Sequence, residues 1–315
     1  MLEFLVDKAD DGITLFKFCK KYLKNASLSR LYAIFRKKDI KVNGKHAKRG
    51  EVLHSGDKIS IYGKDVNSLA SLKEDEKIIP KPLPFPIIYE DDNILVVDKP
   101  KGILSQKDKK DVVSLVEHVN AYLSFKKIDA KAYPIHRLDN MTSGVSILAK
   151  NYHAARVLSS AFLDHENVEK IYIALCFGIA KDEGDIKKKL KKDDKINFVR
   201  VDENGKDAFT HYRLIRLFDE QLSLLEIHLF SGRTHQIRVH LASESLPIVN
   251  DEKYGDFSKN KSFQKKYHDD RLFLHAKSIC FKKIDDDILK YLEGKKFISP
   301  LPKVEANVLK LLEEV

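Results

Sequence analysis

Along the first sixty residues the apolar positions change period several times, and each change predicts an element. Phe4 and Val6 alternate with polar neighbours and predict a short strand. Beyond the Asp11-Gly12 turn, Leu15, Phe16, Phe18, Cys19 and Leu23 recur at helical spacing behind Thr14, a capping residue type. Ser27 or Ser29 can cap a second helix that turns Leu31, Ile34 and Phe35 inward. Residues 40–45 read as a strand running into an Asn43-Gly44 turn, and Gly56-Asp57 leads into an alternating strand over 58–62. Residues 1–63 therefore form one small α/β module. Residues 64–86 mix charges with Pro80, Pro82, Pro84 and Pro86, which impose extended backbone, and read as a linker. From Ile87 to Val315 a second domain follows. Its β-like runs lie at 94–97, 145–149, 171–176, 222–229 and 237–241, and its helical stretches near 111–125 and 151–164. Strands predominate and alternate irregularly with helices, which predicts α+β rather than a βαβ series. The polar segment 181–208, with Lys187, Lys188, Lys189, Lys191 and Lys192, reads as an excursion from the core.

Composition narrows the class. With 43% hydrophobic and 33% charged residues, the 315-residue chain has the profile of a folded globular protein rather than a disordered one. No run of 18 apolar residues occurs, which excludes a spanning helix. The N-terminus lacks the basic and apolar regions of a secretory signal, and Cys19, Cys176 and Cys280 form no CxxC pair. A cytoplasmic protein without a zinc ribbon or disulfide framework is expected. Charge is uneven: residues 1–64 hold 15 Lys and Arg against 7 Asp and Glu, a net of +8 within a chain total of +10. That is the footprint of a nucleic-acid docking module, or else a lysine-rich solvated surface.

Four segments concentrate polar residues in apolar surroundings. His136, Arg137 and Asp139 stand just before the apolar run 145–149, as structural ion pairs or as chemistry. In Lys170-Ile171-Tyr172-Ile173-Ala174, strand alternation puts Lys170, Tyr172 and Ala174 on one face. Gly232-Arg233-Thr234-His235-Gln236-Ile237-Arg238-Val239-His240 is too polar to bury without partners. Read as a strand, it turns His235 and His240 to opposite faces, which argues against a metal site. Asp98-Lys99-Pro100-Lys101-Gly102 follows a strand and supplies a charged reach and a tight turn. No phosphate-loop spacing is present.

These segments together make the chain recognisable. HRLDNMTSG at 136–144, KIYIA at 170–174, GRTHQIRVH at 232–240 and LHA at 274–276 occur in the order found in the RluA family of pseudouridine synthases, which the chain closely resembles. Residues 12–63, through Ser29-Arg30-Leu31-Tyr32, Arg36-Lys37 and Val42-Asn43-Gly44, resemble the ribosomal-protein-S-four-type RNA-binding domain. Tyr254-Gly255-Asp256-Phe257 and residues 272–276 look most like the RluC-like branch, which acts on large-subunit ribosomal RNA; Asn250 departs from the family's usual Gly or acidic residue.

The resemblance implies a catalytic domain built on a mixed, largely antiparallel sheet, an RNA substrate, no cofactor and no metal; without a long apolar run no membrane partner is expected, and without a sustained heptad or large apolar stripe a monomer is expected. It implies Asp139 as the essential carboxylate, Arg238 as the guanidinium whose planar fork pairs with it, and Tyr172 as the ring that stacks on uracil. Arg137 would fill the space left by the flipped base, and Arg30, Arg36, Lys37, Lys38 and Lys45 would contact RNA from the N-terminal module. His136, Thr142, Gly144, Lys99, Gly232, Arg233, His235 and Gln236 would support the site. Transfer RNA is the alternative substrate. Two other classes are a catalytically silent RNA-binding or ribosome-assembly protein, which intact Asp139, Tyr172 and Arg238 disfavour, and a glycoside hydrolase, which would need a second carboxylate beside the bond.

Overall fold

A computed structural model describes residues 1–23, 26–63, 66, 79–107, 113–193, 196–219 and 221–314. The first strands and helices are β1 (Leu2–Leu5), α1 (Leu15–Tyr22), α2 (Leu28–Arg36), β2 (Ile40–Val42), β3 (Lys45–His46) and β4 (Lys58–Ile61). The strands form a four-stranded sheet in the order β1-β4-β2-β3. Leu15, Phe18, Leu31 and Ile34 of the two helices share a buried core with Ile40, Ile59 and Ile61. Ser27 caps α2 by accepting from the Arg30 N–H, whereas Thr14 stands at the start of α1 without a side-chain capping bond. Asn43 and Gly44 both adopt positive φ (50° and 78°), as a two-residue hairpin turn requires. Most of the proline-bearing segment 64–86 lies outside the described residues.

The remaining chain runs β5 (Ile87–Glu90), β6 (Ile94–Lys99), α3 (Leu115–Phe125), β7 (Tyr133–Pro134), β8 (Ser143–Ala149), α4 (Tyr152–Leu163), β9 (Val168–Phe177), β10 (Glu183–Lys187), β11 (Leu190–Asp193), β12 (Phe198–Val201), β13 (Phe209–Phe218), β14 (Leu222–Leu229), α5 (Gln236–Ser243), α6 (Phe257–Tyr267), β15 (Leu274–Phe281), β16 (Lys296–Ile298) and α7 (Lys303–Glu313). Ten of these strands make one sheet, ordered β10-β13-β14-β9-β15-β8-β6-β5, with β7 beside β8 and β16 beside β15. Every pairing is antiparallel except β8 with β15. Alternation along β6 serves two layers: Leu95 and Val97 pack with α3, Ile94 and Val96 with α4. β8 is covered on both faces and buried at all seven positions, Ser143 and Ser146 included.

Two expectations change. The run 237–241 is helical, within α5, not a strand. Segment 181–208 is less of an excursion than its polarity suggests: β10 extends the main sheet, and β11 pairs with β12 as a hairpin. Leu190 of β11 and Val199 of β12 form a small core with Val239 of α5, so the few apolar residues of the segment anchor it. Among the described residues, no helix is long and apolar enough to cross a membrane.

Candidate active site

The parallel junction of β8 and β15 sets the geometry of the site. Gly144 pairs with Ala276, and Ala276 pairs on its other side with Tyr172 of β9. Gly144 has φ +114°, and a Cβ there would lie 2.2 Å from the Ala276 carbonyl oxygen, so only glycine lets the strands approach. Asp139 lies in the turn immediately before β8, where its carbonyl accepts from the N–H of buried Thr142 (3.1 Å). The strand register thus fixes the turn that carries Asp139 relative to the strand that carries Tyr172.

Asp139 meets two groups from the α5 region. Its Oδ2 is 3.6 Å from Arg238 Nη1 and 4.0 Å from His235 Nε2. The fork of Arg238, expected at Asp139, is instead turned to Asp251. Arg238 Nε and Nη2 donate to the two carboxylate oxygens of Asp251, each at 2.8 Å, leaving Nη1 toward Asp139. Asp251 is nearly fully buried, and burial alone would raise its pKa. Hydrogen bonds and charge from Arg238, with the backbone N–H groups of Tyr254 and Lys253, hold it below the usual carboxylate range. Asn250 beside it takes positive φ (61°), which asparagine tolerates, and its side-chain amide donates to the carbonyls of Asp269 and Arg271.

His235 also adopts positive φ (52°) at the N-terminus of α5. Its Nδ1 lies 2.8 Å from the Tyr254 hydroxyl. Burial lowers its pKa against the pull of Asp139, and Arg238 and Lys253 add to burial, which disfavours the charged ring. Gln236 is buried and organises the preceding loop. Its Oε1 accepts from Ser231 Oγ and the Arg233 N–H, and its Nε2 donates to the Phe209 carbonyl and Thr210 Oγ1. The separation of His235 from His240 survives the change from strand to helix. His240 is buried between Thr210 Oγ1 (2.9 Å) and the Lys188 carbonyl (3.0 Å).

Lys99, at the end of β6, is fully buried; its ammonium donates to the carbonyls of Pro100, Ile103 and Asn140 and so ties the Asp139–Asn140 turn to β6. Burial pulls its pKa down to about 7, while the charge of Asp139 opposes the fall. His136 accepts from the Ile147 N–H through Nε2 (3.1 Å) and stacks on Phe162. Burial, helped by the charge of Lys170, lowers its pKa to about 3, so it is a neutral strut.

A cleft of about 1120 Å³ opens alongside; Tyr172, His136, Arg137, Lys170, Gly232 and Arg233 are among its lining residues. Lys187, Lys188 and Lys189 line it as well. Tyr172 is 8% exposed, and burial, then the charge of Asp139, push its hydroxyl pKa well above the ordinary value. Arg137 is exposed, and Arg233 Nε donates to the Asp207 carbonyl. Arg30, Arg36, Lys37, Lys38 and Lys45 are exposed on the N-terminal module.

The chain matches a family model described as RNA pseudouridylate synthase over residues 93–243. It is 34% identical to "Ribosomal large subunit pseudouridine synthase C" of Rickettsia felis over 280 residues, covering 82% of this chain and 87% of the relative. The chain belongs to the RNA pseudouridylate synthase family. Membership makes it an enzyme that isomerises uridine in RNA to pseudouridine. A Vibrio parahaemolyticus protein of the same description is 31% identical, with 90% of this chain and 89% of the relative aligned. The fold agrees: the structure of human RNA pseudouridylate synthase domain containing 4 superposes with a TM-score of 0.58 at 22% identity, over 72% of this chain and 92% of that one.

Asp251 and Tyr254 are site residues that the sequence motifs did not single out. The available signal was an acidic residue closing the apolar stretch Leu246-Pro247-Ile248-Val249, followed three residues later by Tyr254-Gly255.

Proposed function

We propose that the protein converts specific uridines of large-subunit ribosomal RNA to pseudouridine in the cytoplasm, with Asp139 as the reacting carboxylate. The observation that carries this reading is the meeting of Asp139 with Arg238 and His235 beside the strand of Tyr172. In the reaction the bond from uracil nitrogen to ribose breaks, the base turns, carbon 5 of the same base bonds to the same ribose carbon and then gives up its hydrogen as a proton, and the freed nitrogen takes up a proton, so the product is an isomer of uridine. Asp139 acts ionised, as nucleophile or as base, and Arg238 Nη1 stabilises that charge. Tyr172 stacks on the uracil. Its hydroxyl, held protonated by burial and by Asp139, relays a proton rather than abstracting one. A stacked uridine must flip out to reach Asp139, at about a few kcal/mol, and exposed Arg137 fills the space it leaves.

The N-terminal module, resembling the S-four-type domain, docks on RNA phosphates through Arg30, Arg36, Lys37, Lys38 and Lys45, which positions the enzyme without reading sequence. The relatives described as acting on the ribosomal large subunit support the choice of substrate. Carbodiimide-adduct primer extension across ribosomal and transfer RNA, from cells with and without the gene, tests it. Loss of one or more large-subunit stops is expected. Loss confined to transfer RNA would move the substrate there, and an unchanged pattern in both would contradict the proposal.

A further inference from the structure

Tyr254 lies on the loop between α5 and α6, and its side chain joins two parts of the molecule. Its ring faces the Arg238 guanidinium at 5.0 Å and packs on Phe198 of β12. Its hydroxyl accepts from the backbone N–H of Val199, also in β12, at 2.9 Å, and stands 2.8 Å from His235 Nδ1. At the first link a backbone N–H only donates, so the hydroxyl accepts from Val199 and its own proton is left to be given elsewhere. With a lone pair committed to Val199, the hydroxyl has His235 Nδ1 at 2.8 Å as the acceptor for its proton. A neutral imidazole that accepts at Nδ1 carries its proton on Nε2. Nε2 is the atom 4.0 Å from Asp139 Oδ2, longer than a hydrogen bond, as such contacts often are before substrate completes a site. In the other tautomer a nitrogen lone pair would face the carboxylate and repel it.

We propose that Tyr254 is a positioning residue for the isomerisation: its hydroxyl, oriented by the Val199 N–H, holds His235 in the tautomer whose Nε2–H faces Asp139. The proposal rests on the reading of Asp139 as the reacting carboxylate. It also gives the β11–β12 hairpin a part in the site. The hairpin carries Lys191 and Lys192 and is seated on α5 through Leu190 and Val199. Where the hairpin sits decides whether the Tyr254 hydroxyl is oriented.

The test compares full-length enzyme with Tyr254→Phe, His235→Gln and the double variant, following tritium release from large-subunit ribosomal RNA transcribed with 5-tritiated uridine. Phenylalanine keeps the ring against Arg238 and Phe198 and removes only the hydroxyl. Tyr254→Phe is expected to lower kcat about tenfold or more with KM changed less than about twofold. Long-range proton–nitrogen NMR of His235 is expected to change from one protonated Nε2 to a mixture of tautomers. In the His235→Gln background no tautomer remains to be set, so Tyr254→Phe should cost less than about twofold more. A wild-type imidazole spectrum in Tyr254→Phe overturns the proposal whatever the rates. So does normal turnover of Tyr254→Phe, or an equal loss in both backgrounds, which would assign Tyr254 to packing. Asp139→Asn is the control. If it retains turnover, the reading of Asp139 fails; if it is inactive while Tyr254→Phe is normal, only the role of Tyr254 fails.

Discussion

Replacing Gly144 with alanine inserts a methyl group where β8 and β15 leave no room. The new Cβ would sit 2.2 Å from the Ala276 carbonyl oxygen, 2.7 Å from its carbonyl carbon and 2.8 Å from its nitrogen. All three are backbone atoms, so no side chain can swing away, and the strands must part by more than about 1 Å to reach ordinary contact. The residue must also hold φ +114°, a strain of about 1–2 kcal/mol for an L side chain. Overpacking adds about 1–3 kcal/mol, for a total of about 2–5 kcal/mol. At about 2–4 °C per kcal/mol for a domain of this size, the thermal midpoint should fall by about 4–20 °C. Activity should fall further than stability. The β8–β15 pairing joins the sheet half that leads out of the Asp139 turn to the half that holds Tyr172, so parting the strands displaces one from the other. A misplacement of about 1 Å costs about a hundredfold in rate. Calorimetry and single-turnover tritium release at a temperature where the variant is folded measure the two effects. An unchanged midpoint together with unchanged turnover would refute the argument that this contact sets the site.

Arg238→Lys should lower turnover about tenfold or more, because an ammonium cannot bind Asp251 at two points and face Asp139 as well; kcat near wild type would show that the fork is dispensable. Tyr172→Phe should leave RNA binding intact and slow the proton-transfer step, read as tritium release against filter binding; normal turnover would leave stacking as the whole role of Tyr172. Lys99 has a folded pKa of about 7, below its ordinary value, so the unfolded chain binds the proton more tightly and stability should rise with pH from about 7 toward the usual lysine range. Denaturant unfolding of wild type and Lys99→Met across that window should show this rise in wild type relative to the variant, and parallel curves would contradict it.

Where a segment's fate depends on its own period, the sequence was legible. Lys170, Tyr172 and Ala174 alternate with apolar neighbours, and β9 forms there. Asn43-Gly44 specifies its turn through positive φ, and the hairpin follows. Legibility fails where distant partners decide. Residues 236–243 carry polar groups at both strand and helix spacing, and the helix wins because the α5 side chains find partners elsewhere: Gln236 at Phe209 and Thr210, Arg238 at Asp251, His240 at Lys188. The polar segment 181–208 gives little sign of its seat, since Leu190 and Val199 become a core only once Val239 covers them. In the site, residue types were readable and pairings were not. An arginine near an essential aspartate suggests a direct fork, yet the fork belongs to Asp251, thirteen positions along the chain.

The central claim is that the ionised carboxylate of Asp139 carries the chemistry, and the most direct measurement is pseudouridine formation by Asp139→Asn. Asparagine is nearly isosteric and Arg238 remains held by Asp251, so the fold and RNA affinity should persist. The amide can act neither as an ionised nucleophile nor as a base. Single-turnover tritium release from 5-tritiated uridine in ribosomal RNA, at saturating enzyme and with binding checked separately, should fall to background. Retention of more than about a tenth of the wild-type rate, a barrier change below about 1.4 kcal/mol, with RNA binding intact, would contradict the account.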